Sequence, residues 1–201
     1  MTACGGNLRQ IGGFHSLYAD EYSGYLPRGG LNLNSSNTYL AGGQISASSE
    51  QGALARSGYL SIYDLVWCPS RVSYQRFDSY EYNRNRFNVF CTSGAGGALS
   101  SYIARYHVDS ATYALNMVKD ARVAKLPVMW DFIGYAGYLL PDGSRPLTYS
   151  HPNGYMTLYG GGHVRWLMDM GYAHAYASAG SVAPQNMSDT STFVRGFLDK
   201  Q

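Results

Sequence analysis

Charge is what this 201-residue chain has least of. Asp, Glu, Lys and Arg make up 14% of it, against roughly 25% in an ordinary soluble domain, and the shortfall is mostly Lys and Glu. Fifteen basic residues against thirteen acidic ones leave +2, too little for the dense positive field that phosphate-backbone binding needs. The reading is therefore no nucleic acid. Cysteine is scarce as well. Cys4, Cys68 and Cys91 allow at most one internal disulfide, in any of three pairings, with one thiol left over. None lies in a Cys-x-x-Cys pair, so zinc-ribbon and thioredoxin readings lose their usual support. No apolar run of eighteen residues is there to span a bilayer, and no basic-then-apolar leader opens the chain.

Catalytic signatures are missing too. Glycoside hydrolysis needs two suitably spaced carboxylates, and no pair stands out among Glu21, Glu50, Glu81 and the scattered Asp. Cys68, between Trp67 and Pro69, reads as a buried structural sulfur. Gly94-Ala95-Gly96-Gly97 is followed by no Lys-Ser or Lys-Thr, so it is a turn and not a phosphate loop. His151 and His163 lack the i, i+4 spacing that puts two imidazoles on one helix face, and each reads as a hydrogen-bonded structural histidine. Asp131, Asp142 and Asp169 could offer oxygens to calcium but lack the closely spaced acidic pattern of a calcium loop. The expectation is thus no cofactor, with calcium the one alternative, and no enzymatic activity.

What is present is hydroxyl and turn: nineteen Tyr, twenty-four Gly and many Ser and Asn, a neutral surface suited to the cell exterior. The length suits one domain, 1–201. Leu8, Ile11, His15, Tyr18 and Tyr22 step by three and four, which predicts a helix from Cys4 to Tyr22. Gly12 and Gly13 each weaken it by roughly 1 kcal/mol against Ala, so it needs a sheet beneath it. Ser23-Gly24 and Pro27 stop it, and Arg28 to Ser49 reads as a long surface loop. A short helix over Glu50 to Arg56 follows, then an apolar stretch into Cys68-Pro69-Ser70 with Trp67 as a core anchor. Arg71 to Ser101, where Arg, Tyr and Asn interleave, reads as a decorated hairpin or loop insertion whose Tyr74 to Phe87 could stack against sugars.

Ala111 to Val118 and Val123 to Phe132 are the strand candidates, and Pro127 puts the second at an edge or a bulge. Tyr155 to Leu167 reads as a β-hairpin, with one face buried and one wet. Its tight Gly161-Gly162 turn needs positive φ at both positions. Beyond an Ala, Gly and Tyr rich tail from Met168 to Pro184, Asp189 would cap a last helix burying Phe193, Val194, Phe197 and Leu198. The three tryptophans, Trp67, Trp130 and Trp166, are expected in one core.

Three separated motifs go further: Cys4-Gly-Gly-Asn7-Leu8-Arg9-Gln10-Ile11-Gly12 running on to Tyr18-Ala19-Asp20-Glu21-Tyr22-Ser23-Gly24-Tyr25-Leu26-Pro27, then Trp67-Cys68-Pro69-Ser70, then His151 through Trp166. Together they resemble the bacterial prepilin-like H-x9-D-G family, which is similar to the type II secretion pseudopilins. In that family a His, nine residues and Asp-Gly close the C-terminal motif. Here His151 is followed after nine residues by Gly161-Gly162 and His163, so the carboxylate of that motif is absent.

The resemblance implies an α+β, pilin-like fold, an N-terminal α-helix packed on an antiparallel β-sheet with long loop insertions. Residues 1–26 would be the soluble half of the helix and its exit, and 27–201 the sheet and its insertions. It further implies a cleaved leader, methylation, and about twenty apolar residues upstream, enough to anchor the protein in the inner membrane. The partners would be other pilin-like subunits, met through that helix on the periplasmic or cell-surface side. The function implied is a structural subunit of a type II secretion or pilus-like filament. The alternative is a cell-surface module that binds polysaccharide or captures substrate.

Overall fold

A computed structural model of the chain describes residues 2–27, 43–45, 49–71, 79–104, 117, 120–131, 133–135, 147–149, 151 and 154–168. The first helix, α1, spans Thr2–Glu21. Cys4, Leu8, Ile11 and His15 form its buried stripe, each at most 2% exposed, as their spacing of four, three and four requires. The helix ends where expected. Ser23 and Gly24 take φ of 56° and 87°, and the Gly24 N–H reaches back to the Ala19 carbonyl at 2.7 Å, which satisfies an orphan helix carbonyl.

Beneath α1 lies a four-stranded antiparallel sheet in the order β3-β4-β7-β8, formed by Tyr102–Ala104, Pro127–Asp131, Gly154–Tyr159 and Val164–Met168. Its register pairs Tyr102 with Asp131, Met129 with Leu158, and Met156 with Trp166. Two smaller sheets join β1 (Gly43–Ile45) to β2 (Ala98–Ser100) and β5 (Ile133–Tyr135) to β6 (Leu147–Tyr149). The described fold is therefore α+β with an N-terminal helix on an antiparallel sheet.

Glycine sets the distance between the two layers. A Cβ on Gly5 would sit 2.5 Å from Met156 Cε, and one on Gly12 2.9 Å from Leu158 Cδ1. Gly12 thus lets the helix lie close on β7, whereas Gly13 faces open space. The second helix, α2, covers Glu50–Arg56 as expected, with the Ser49 hydroxyl accepting the Gly52 N–H.

Several expectations are corrected. The interleaved Arg, Tyr and Asn segment is not a hairpin. Tyr80–Ser93 forms a helix, α3, capped by Ser79 and closed by Gly94 at φ 70°. Asn83, Phe87 and Phe90 give it a buried stripe, a period of four and three hidden by the polar residues around it. Within the supposed loop from Arg28 to Ser49, β1 pairs with β2 and buries Ile45 completely.

Val123–Lys125 is a 3-10 turn, and β4 begins only at Pro127. Pro127 does mark an irregularity in the register, but β4 is flanked by β3 and β7 and is no edge. A proline fits there as the first residue of the strand.

The hairpin of β7 and β8 is present, but its loop has three residues. Gly162 N–H donates to the Tyr159 carbonyl at 2.8 Å and Tyr159 N–H to the His163 carbonyl at 2.9 Å. Only Gly162 has positive φ, at 80°, as in a type I turn closed by a left-handed glycine. The loop is longer because its tip is docked: Gly160 and Gly161 donate to the carbonyls of Leu126 and Ala124.

Nor is one face of the hairpin simply wet, since Thr157, Leu158 and Tyr159 are all buried. Trp67 belongs to the main core. Trp130, paired with Thr157, points to the opposite face of the sheet from Met129, and Trp166 is only half-buried. The three tryptophans do not share one core. The strand expected over Ala111 to Val118, apart from Met117 in a turn, the tail and the last helix lie outside the described residues.

Candidate functional site

The start of α1, the segment after the Tyr63–Val66 3-10 turn, the end of β4 and the approach to β7 meet at one buried point. Cys4 and Cys68 form a disulfide across 64 residues, which resolves the three pairings left open and leaves Cys91 as an exposed free thiol. Closing a loop of that length restricts the unfolded chain by about 4 kcal/mol. Asn7, one turn after Cys4, donates from Nδ2 to the carbonyls of Asp64 (2.9 Å) and Trp67 (3.2 Å). It holds the same two segments together by hydrogen bonds.

His151 packs against this tie. Its Nε2 lies 3.5 Å from Cys68 Sγ and 3.4 Å from Asp131 Oδ2, and its ring meets Trp166 edge-on at 5.6 Å. Asp131 Oδ2 also accepts the Met156 N–H at 2.9 Å. Cys4, Cys68, Asp131 and His151 are all at most 6% exposed.

Burial pushes the Asp131 carboxyl up to about 7, against the opposing pull of the Met156 N–H, and pushes the His151 imidazole down. Both shifts have one cause, the cost of a charge out of water, so the pair favours a protonated Asp131 beside a neutral His151. Because both contacts of His151 run through Nε2, the ring is not placed between a nucleophile and an orienting carboxylate as a catalytic triad requires. While the sulfurs are bonded to each other neither is a nucleophile. As it stands, the cluster is a covalent tie with a proton-holding pair against it.

The structure gathers Cys4, Cys68, His151 and Trp166 from the motif residues and sets Asn7 beside them. Leu8 and Ile11 are fully buried in the core, and Pro27 is buried. Tyr18 is half-buried, its ring stacked on Tyr22 at 4.0 Å. Pro69 and Gly161 are exposed. His163 is exposed as well, stacked on Tyr159 at 4.6 Å, and takes no part in the cluster. Of the three calcium candidates, Asp131 is engaged as described, while Asp142 and Asp169 lie outside the described residues.

Sequence reasoning gave Asp131 no partner. The signal was a carboxylate ending the apolar run Val128-Met129-Trp130, where an unpaired charge would be costly. Glu50 was missed in the same way: its Oε1 lies 2.6 Å from His15 Nε2, both side chains buried, joining α2 to α1.

Of the sugar-stacking candidates in Tyr74 to Phe87, 74–78 lie outside the described residues, and the flanking Arg71 as well as Arg86 are engaged within the chain. The Arg71 guanidinium lies 4.6 Å over the Trp67 ring and donates to the Ser100 carbonyl. Arg86 donates to the Gly97 carbonyl and the Tyr82 hydroxyl, beside a cleft of about 340 Å³ lined by Tyr82, Asn85, Val89 and Gly96 among others. Comparison with protein-family models, curated proteins and solved structures finds no match for this chain.

Proposed function

We propose that the protein is a pseudopilin-like structural subunit of a type II secretion or type IV pilus-like filament at the bacterial cell envelope, with no enzymatic activity. The carrying observation is the two-sidedness of α1. One face, Cys4, Leu8, Ile11 and His15, is spent on the sheet and on α2, while Arg9, Gln10, Gly13 and Leu17 on the other are exposed. A helix tied at its first turn and open along its outer face suits side-by-side packing with the same helix of neighbouring subunits. No helix among the described residues is long and apolar enough to cross a membrane, so in this reading the anchor is an apolar segment joined ahead of α1.

Two measurements test this. Reading the coding sequence upstream of residue 1 should reveal a short basic leader, a cleavage site, a Glu near the mature start and an apolar helix running into Thr2. A secretory signal with an A-x-A-like cleavage site would sink the proposal. In cells expressing the full coding sequence, cysteines placed at Arg9 and Leu17 should give ladders of cross-linked multimers, and monomer alone would count against it.

The cleft beside Tyr82 and Arg86 favours a second reading, a surface module that binds polysaccharide. Quenching of intrinsic fluorescence by a soluble polysaccharide, abolished in Tyr82→Ala, would support that reading over the first.

A further inference from the structure

We propose that the chain, with Cys4 and Cys68 reduced, binds one Zn2+ through Cys4 Sγ, Cys68 Sγ and His151 Nε2 with Asp131 Oδ2 as the fourth ligand, so that disulfide and metal are alternative ties at the same point. The ligand atoms of Cys4, Cys68 and His151 already lie within 4.8 Å of one another. Tetrahedral zinc, with bonds of about 2.3 Å to sulfur and about 2.0 Å to nitrogen or oxygen, separates its donors by about 3.3–3.8 Å. The Cys68-to-His151 and His151-to-Asp131 spacings, 3.5 and 3.4 Å, match that edge without movement. The two sulfurs must part, and the Asp131 carboxylate, which is not among the three donors lying within 4.8 Å of one another, must turn towards them to close the fourth position. The Cα atoms of Cys4 and Cys68 are 5.2 Å apart, and side-chain rotation once the bond is broken opens the gap.

The donor types point the same way. Two thiolates, an imidazole and a carboxylate suit zinc better than calcium or magnesium, which take oxygen ligands. The cluster is closed to water, as structural zinc sites are. It also has a supporting shell: the Met156 N–H fixes Asp131 and the edge of Trp166 fixes the His151 ring. The sequence holds no Cys-x-x-Cys pair. The fold supplies the juxtaposition from positions 64 residues apart.

The chemistry balances. A dithiol reductant gives two electrons and two protons to the Cys4–Cys68 bond and itself closes to a disulfide. Zn2+ then displaces the two thiol protons and the carboxyl proton held by Asp131, all of which pass to solvent.

The test is cobalt substitution in a Cys91→Ser background. The chain is unfolded, reduced with a phosphine and refolded without oxygen, then titrated with Co2+. The expected result is the visible spectrum of tetrahedral cobalt thiolate, saturating at one Co2+ per chain, erased by one equivalent of Zn2+ and absent from the oxidised chain. His151→Ala should weaken Co2+ binding about 10-fold or more. To separate loss of a ligand from loss of fold, urea unfolding of the reduced parent is followed with and without Zn2+, which should raise its midpoint. No tetrahedral spectrum, affinity unchanged in His151→Ala, or binding that survives Cys4→Ser with Cys68→Ser would each overturn the proposal.

Discussion

Asp131 holds the residue-scale consequence that is easiest to measure. Its carboxyl titrates near 7 in the folded chain and near the ordinary value of about 3.9 when unfolded. Between those values the folded state keeps a proton that the unfolded state has lost, so this group's stabilising contribution is full at low pH and falls as pH rises towards 7. His151, shifted down, acts in the opposite sense: stability falls as pH drops below about 6.5, where the unfolded imidazole takes up a proton first. Asp131→Asn removes the first effect and leaves the second. In the disulfide-bonded protein the variant should match the parent near pH 4 and exceed it at pH 8 by on the order of 1–3 kcal/mol. Equal urea midpoints at both pH values would show that Asp131 is not held protonated.

At the scale of elements, glycine positions separate packing from propensity. Gly13→Ala should stabilise the isolated protein by about 0.5–1 kcal/mol, because nothing lies within 4 Å of the added methyl. Gly12→Ala should destabilise it instead, since Leu158 must move. Thermal unfolding of the two variants checks both signs. In the hairpin, Gly160→Ala should cost about 2 kcal/mol or more, as its methyl would run into the Val123 carbonyl. Gly161→Asp, harmless in an open turn, brings its Cβ to 3.0 Å from the Ala124 carbonyl and should destabilise too.

These cases show what was legible. The α1 stripe, the Ser23-Gly24 stop, α2 and the β7–β8 hairpin follow from local periodicity and turn chemistry. The docked hairpin tip, α3 and the bulged but central β4 do not, because tertiary contacts decide them. Of the cluster, Cys4, Cys68 and His151 could be named from motifs, but their meeting with Asp131 depends on strand register, which single residues do not encode.

For the whole molecule, α1 is the joint of the described core. It packs on β7 and β8, on the Tyr63–Val66 turn and on α2, with Leu8 completely buried. Leu8→Ala should cost about 2–5 kcal/mol and shift helix and aromatic circular-dichroism transitions together. Separate transitions would show that α1 detaches on its own. The position of Cys4 in the first turn of α1 also has a mechanical consequence. A load applied at the start of the chain passes through the Cys4–Cys68 bond into the protein interior before it reaches any noncovalent contact of the helix. While that bond is intact, α1 cannot be peeled from its leading end: the load crosses directly from Cys4 to Cys68, and residues 5–67, closed into a loop by the bond, carry none of it. In single-molecule pulling from that end, the oxidised protein should yield at markedly higher force than the reduced, metal-free one.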